Sequence, residues 1–65
     1  MNPQLATIVH GRKFLWDGRA YPSRDDAARA ATAYERDGFE VSLTDDGGVF
    51  LIYTRRLVKE EAVAL

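Results

Sequence analysis

No cysteine occurs anywhere in this chain. That removes disulfides, thiolate nucleophiles and zinc-thiolate sites at a stroke. Histidine is present once, as His10, and general acid–base work needs a positioned partner for the imidazole that no neighbouring residue supplies. Beside Gly11 it reads as a turn residue. No apolar run approaches the ~20 residues of a membrane-spanning helix, and the opening Met-Asn-Pro-Gln lacks the basic, apolar and small-residue regions of a signal peptide. A cytoplasmic protein with no membrane partner is therefore expected. An excess of charge is lacking too: nine Lys and Arg stand against ten Asp and Glu, for a net charge of −1. Such a balance gives no overall pull toward nucleic acid or anionic lipid.

What is present is a globular composition, with 46% hydrophobic and 29% charged residues. Its 65 residues allow one domain, with an ordered core expected over about 5–58 and a tail or short helix over 59–65. A domain of this size buries only about 60% of its unfolded surface. Burial in an oligomer interface would help such a chain.

Two dipeptides suited to tight turns, His10-Gly11 and Asp17-Gly18, punctuate the segment from Leu5 to Tyr21. Asp-Gly accepts the positive φ that a type I′ hairpin turn needs, so a hairpin is expected there, with a further strand before His10 at about residues 5–9. Pro22-Ser23 ends the extended stretch, and Ser23 with Asp26 three positions on has the form of a capping box. The helix is then expected from Arg24 to Asp37. Ala27, Ala30, Ala31 and Tyr34 share one face of it, Asp25 and Asp26 sit at the positive end of its dipole, and Gly38 supplies the stop. That face is thin, with Tyr34 as its one large side chain.

From Phe39 to Thr44, apolar and polar residues alternate as in a strand with one buried face. Asp45-Asp46-Gly47-Gly48 is the expected turn, centred on Asp46-Gly47, and Val49 to Arg55 or a little beyond the return strand. That centre places Leu43 opposite Phe50, Val41 opposite Ile52 and Phe39 opposite Thr54, and sets Glu40 against Tyr53. Val58, Ala62 and Leu65 have the spacing of a short terminal helix over 57–65. The fold class is thus α+β, (β)ββαββ, with one antiparallel or mixed sheet and one helix on one face.

A single helix covers one face of such a sheet, so a polar second face is expected. The sequence departs from this. Val49, Leu51, Tyr53 and Arg55 occupy the second parity of the last strand, while Phe14, Trp16, Arg19 and Tyr21 share one parity of the expected hairpin and Lys13, Leu15, Ala20 and Pro22 the other. Three readings remain open. The chain's own ends could cover the surface as a second small core. It could serve as a homodimer or protein-partner interface, through the open face or a strand edge. Or aromatics and arginines could stack bases and contact phosphate in a weak nucleic-acid-binding domain. The residues that would carry binding are Trp16, Arg19, Leu51, Tyr53, Arg55 and Arg56.

Catalysis finds little support. Ser23 suits a helix cap, Ser42 faces outward on a strand, and neither sits in a nucleophile elbow. Asp25-Asp26 and Asp45-Asp46 lack the alternating ligand spacing of a calcium loop, and Gly47-Gly48 leads into a strand rather than a phosphate-cradling helix. No cofactor or metal is implied. Arg55-Arg56 reads as a solvated edge that discourages strand-on-strand aggregation, and alternatively as part of a phosphate-binding patch.

Trp16-Asp17-Gly18, Tyr21, Ser23, the Ala-rich helix, Tyr34, Gly38-Phe39-Glu40-Val41 and Tyr53-Thr54-Arg55-Arg56 together resemble short bacterial proteins built on the same outline. The likeness covers about residues 13–58, implies a stand-alone domain, and brings no activity with it. Residues 12–31, through Gly18-Arg19-Ala20-Tyr21 and Ser23 to Ala28, are also similar to the arm-type DNA-binding domains of phage integrases, in which three strands lead into one helix. The second hairpin, Phe39 to Arg55, departs from that pattern. The functional expectation is a small non-enzymatic interaction module, self-associating or binding a protein partner, with nucleic-acid binding as the alternative.

Overall fold

A computed structural model describes residues 4–57. Its elements are β1 (Ala6–Val9), β2 (Arg12–Tyr21), α1 (Arg24–Arg36), β3 (Phe39–Asp46) and β4 (Val49–Arg56). All strand pairings described are antiparallel, and the strands lie in the order β1-β2-β4-β3 in one sheet. Among the described residues this is an α+β fold, ββαββ, with a curled sheet and one helix. The terminal helix expected from Val58, Ala62 and Leu65 lies outside the described residues. Among those described, no helix is long and apolar enough to cross a membrane.

The turn chemistry falls differently from the sequence expectation at two places. His10-Gly11, not Asp17-Gly18, makes the first hairpin: His10 has φ 51° and Gly11 φ 76°, and Val9 pairs with Arg12 across them. Both central residues are left-handed, as a two-residue turn matched to strand twist requires. Asp17-Gly18 instead forms a bulge within the continuous strand β2. Trp16 pairs with Tyr53 and Ala20 with Leu51, so Asp17, Gly18 and Arg19 all stand opposite Ile52. Gly18, at φ 87°, takes the conformation that a side chain would resist. Two strands, not three, therefore precede the helix.

The second difference is register. Gly47 and Gly48, at φ 62° and 100°, form the β3–β4 turn, and Asp46 pairs with Val49. Leu43 thus faces Ile52, Val41 faces Thr54 and Phe39 faces Arg56, while Glu40 faces Arg55 rather than Tyr53. The slip from the expected pairing is two positions, and an even slip keeps every side chain on its expected face. Gly-Gly outcompetes Asp-Gly because both central positions need positive φ, which glycine adopts more readily than aspartate.

Helix α1 forms as its sequence dictates. The Ser23 hydroxyl accepts from the Asp26 amide at 3.1 Å, Asp25 and Asp26 occupy the first turn, and Asp37 caps the end before Gly38. Its alanine face lies mainly on β3 and β4. There Ala27 and Ile52 are wholly buried, and Tyr34 meets Phe39 edge-on with ring centroids 5.9 Å apart. On this helix-bearing face β2 places Leu15, opposite Thr54, and Tyr21, opposite Phe50. Neither parity set expected for the first hairpin applies, because the bulge replaces the turn on which both depended.

Candidate functional site

Trp16, Leu51 and Tyr53 are brought together on the face away from the helix, where Trp16 stands directly across from Tyr53. They do not form an open surface. Leu51 and Tyr53 are 3% and 5% exposed and make a cluster with Phe14, with Val9, Trp16 and Val49 packed against it. The Tyr53 hydroxyl donates to the Gln4 carbonyl at 2.7 Å, so the start of the described chain reaches over this cluster. The indole N–H of Trp16 donates to the Arg19 carbonyl at 2.9 Å, across the bulge. Polar ends of both rings are satisfied within the chain, as buried aromatic hydroxyl and indole groups require. Leu51 and Tyr53 are core residues, and the expectation that they offer binding contacts is corrected accordingly.

The arginines separate. Arg55 pairs with Glu40 at 3.1 Å, its direct cross-strand partner. Arg56 lies on the opposite face, with its guanidinium 5.4 Å from the Phe39 ring centroid. Arg19 is exposed at the bulge, its amide bonded to Asp17 Oδ1 at 2.9 Å. Arg19, Arg55 and Arg56 do not make one basic patch beside a free aromatic platform.

The most organised polar cluster was missed by sequence reasoning. Asp17 Oδ2 accepts from the Tyr21 hydroxyl at 2.6 Å and from the Tyr34 hydroxyl at 3.0 Å. Partial burial and the hydrogen bonds to this carboxylate both push the two phenols above their ordinary titration range. A phenol held protonated serves neither as a nucleophile nor as a base at neutral pH. Chemically, the cluster is a clamp: it holds the bulge in β2 and ties α1 to it. The i, i+4 spacing of Asp17 and Tyr21 around a glycine bulge was the available signal, masked by the hairpin reading of Asp-Gly.

A different surface stands open. The two edges of the sheet are β1 and β3. Edge β3 carries Glu40, Asp45 and Asp46, charges that discourage further strand pairing. Edge β1 reads Ala-Thr-Ile-Val, with no charge, and the chain has no acidic residue before Asp17. Among the described residues the large exposed apolar side chains are Leu5, Ile8, Leu15, Leu43 and Leu57. Three of these gather at β1: Leu5 just before it, Ile8 within it, and Leu15 on β2 opposite Ala6. They are 75%, 66% and 55% exposed; Ile8 and Leu15 stand out because α1 sits over β3 and β4 and leaves this end of its own face uncovered, while Leu5 lies on the other face, opposite Trp16.

Among the described residues, the backbone of β1 also has no strand partner on its outer side. Val9 and Arg12 flank a two-residue turn, so Val9 and Thr7 direct their backbone groups toward β2. The Trp16 amide donates to the Leu5 carbonyl at 2.9 Å, which continues the same alternation. Ala6 and Ile8 therefore turn their N–H and C=O groups outward.

Comparison with protein-family models, curated proteins and solved structures finds no match to this chain.

Proposed function

We propose that this chain is a small non-enzymatic interaction module that docks another polypeptide strand on its β1 edge. The observation that carries this reading is the contrast between the two edges: β1 is uncharged and bordered by exposed Ile8 and Leu15, while β3 is acidic. Strand addition to an open edge gains main-chain hydrogen bonds, and apolar side chains on either side supply affinity. Support for the non-catalytic part is that the one histidine serves a turn and the tightest polar cluster keeps its phenols protonated. The strand-edge form of the sequence expectation is thereby favoured over the open-face form, whose Leu51 and Tyr53 are buried.

Titrating the isotope-labelled chain separately with its own unlabelled form, with extended apolar peptides and with oligonucleotides tests the reading by NMR. Shifts and slowed hydrogen exchange at the Ala6 and Ile8 amides are expected with a polypeptide. Salt-dependent shifts confined to Trp16, Arg19, Arg55 and Arg56 on adding oligonucleotide, with Ala6 and Ile8 unmoved throughout, would replace it with nucleic-acid binding.

A further inference from the structure

The β1 edge, taken as a strand-docking site, complements itself. Residues Leu5-Ala6-Thr7-Ile8-Val9, laid antiparallel against a second copy about a two-fold axis through Thr7, pair Leu5 with Val9, Ala6 with Ile8, and Thr7 with Thr7. Every pair is apolar on apolar or Thr on Thr, both of which favour cross-strand pairing. In this register the outward N–H and C=O groups of Ala6 meet those of Ile8 from the other copy, twice over, and none is left facing a side chain. A shift by one position would put helix-bearing and helix-free faces in opposition and mismatch the outward groups.

The side chains agree with the backbone. On the helix-bearing face, Leu15 lies beside Ala6, and Ala6 would lie beside Ile8 of the second copy. That row covers Ile8 and extends the apolar strip of Leu15 across the junction. On the other face, exposed Leu5 would meet Val9, which already packs on the Phe14 cluster. The three large apolar side chains gathered at this edge thus acquire neighbours together.

Charge does not oppose the arrangement. The positively charged pair Arg12 and Lys13 follows the His10-Gly11 turn, and the two turns of such a dimer lie at opposite ends of the paired strands. At ~3.4 Å per residue, the four-residue offset between the two Val9 positions is roughly 14 Å along the strand, beyond the Debye length of about 8 Å at physiological salt. Pairing β1 with the acidic β3 edge of another copy would instead leave one free edge at each end, and growth would not close.

We infer that the partner of the β1 edge is a second copy of this chain, paired antiparallel across Ala6 and Ile8 about a two-fold axis at Thr7, to give a continuous eight-stranded sheet. The inference rests on the strand-docking reading above and adds the identity and register of the occupant.

Because the chain has no cysteine, single-cysteine variants test the register directly. Two Thr7 positions facing each other in a non-hydrogen-bonded pair have Cα atoms about 4.5 Å apart, within the span a disulfide needs. Two Ile8 positions, offset by two residues, lie roughly 8 Å apart, outside it. In a glutathione redox buffer Thr7→Cys is expected to cross-link as a dimer, while Ile8→Cys and the helix-surface control Glu35→Cys stay largely monomeric. Cross-linking of Ile8→Cys in preference to Thr7→Cys would overturn the register. The uncrosslinked parent chain is expected to sediment as a dimer that changes little with salt, and Ile8→Lys, with its circular dichroism unchanged, to weaken the dimer at least about tenfold. Open-ended, salt-sensitive assembly would overturn the closed dimer. A monomer at several hundred micromolar whose Ala6 and Ile8 amides still respond to an extended peptide would overturn the second copy and leave strand docking standing. A monomer with no response would overturn both.

Discussion

The Tyr34 hydroxyl donates a 3.0 Å hydrogen bond to Asp17, seventeen positions earlier in the chain, on the carboxylate oxygen that also takes the Tyr21 hydroxyl. One charged side chain therefore holds a strand bulge and a helix together. This matters to the edge strand as well. The bulge lies in β2, whose earlier half pairs with β1 and whose later half runs up to α1. Loosening it would let the β1–β2 hairpin move against the rest of the sheet.

Asp17→Ala is therefore expected to destabilise the fold by about 2 kcal/mol, since it strips the acceptor from two phenols and from the Arg19 amide. Tyr34→Phe should cost about 1 kcal/mol, the value of one such bond. Urea unfolding of the two variants and their combination checks this. Once Asp17 is gone, the Tyr34 change should cost markedly less, because the two share one interaction.

Alkaline pH should weaken the fold through the same cluster. Both phenols titrate above their ordinary value of 10.0 when folded, chiefly through burial and then through Asp17. A raised native pKa means the native state holds protons that the unfolded chain releases. The stabilisation is complete below pH 10 and is lost as pH climbs from there toward the folded pKa values. Thermal midpoints between pH 8 and pH 11.5 are expected to fall above about pH 10. The fall should be shallower in the Tyr21→Phe, Tyr34→Phe double variant.

How much of this was legible in the chain depends on the length scale at which each feature is decided. The cap of α1 was readable because Ser23 and Asp26 interact over three residues, and the apolar faces of β3 and β4 were readable because period-2 alternation survives an even register slip. Asp17-Gly18 misled because the same dipeptide serves a hairpin turn or a bulge. The bulge's carboxylate is bonded by Tyr34, seventeen positions away, a contact that local spacing does not show. The candidate site moved for a related reason. A strand count gives no sheet order, and only the order β1-β2-β4-β3 shows that the uncharged strand is an edge and that Leu51 and Tyr53 belong to a central one.

The first hairpin turn carries a removable cost. His10 is held at φ 51°, where a histidine side chain is disfavoured and asparagine is better accommodated. His10→Asn should raise stability by about 0.5 kcal/mol or more. It should leave association at β1 unchanged, since the substitution alters a turn residue and no outward backbone group of Ala6 or Ile8. Urea midpoints together with sedimentation of the same variant would show both effects.

Leu51 and Ile8 should separate stability from association, because one is sealed in the chain and the other borders its edge. Leu51→Ala removes most of a buried side chain from the Phe14–Tyr53 cluster and is expected to cost about 3 kcal/mol of folding stability. Ile8→Ala deletes a side chain that is 66% exposed in the single chain, so below the dimer dissociation constant it should cost under about 0.5 kcal/mol. At high concentration the order of effects on assembly reverses. Leu51→Ala, as long as it remains folded, retains every group that lies on the β1 edge, whereas Ile8→Ala loses the side chain that would lie against the second copy's Ala6. Equal losses of association in two folded variants would mean that the contact surface is the helix-free face after all, reached by opening the Phe14 cluster, and sedimentation at matched folded fractions distinguishes the two cases.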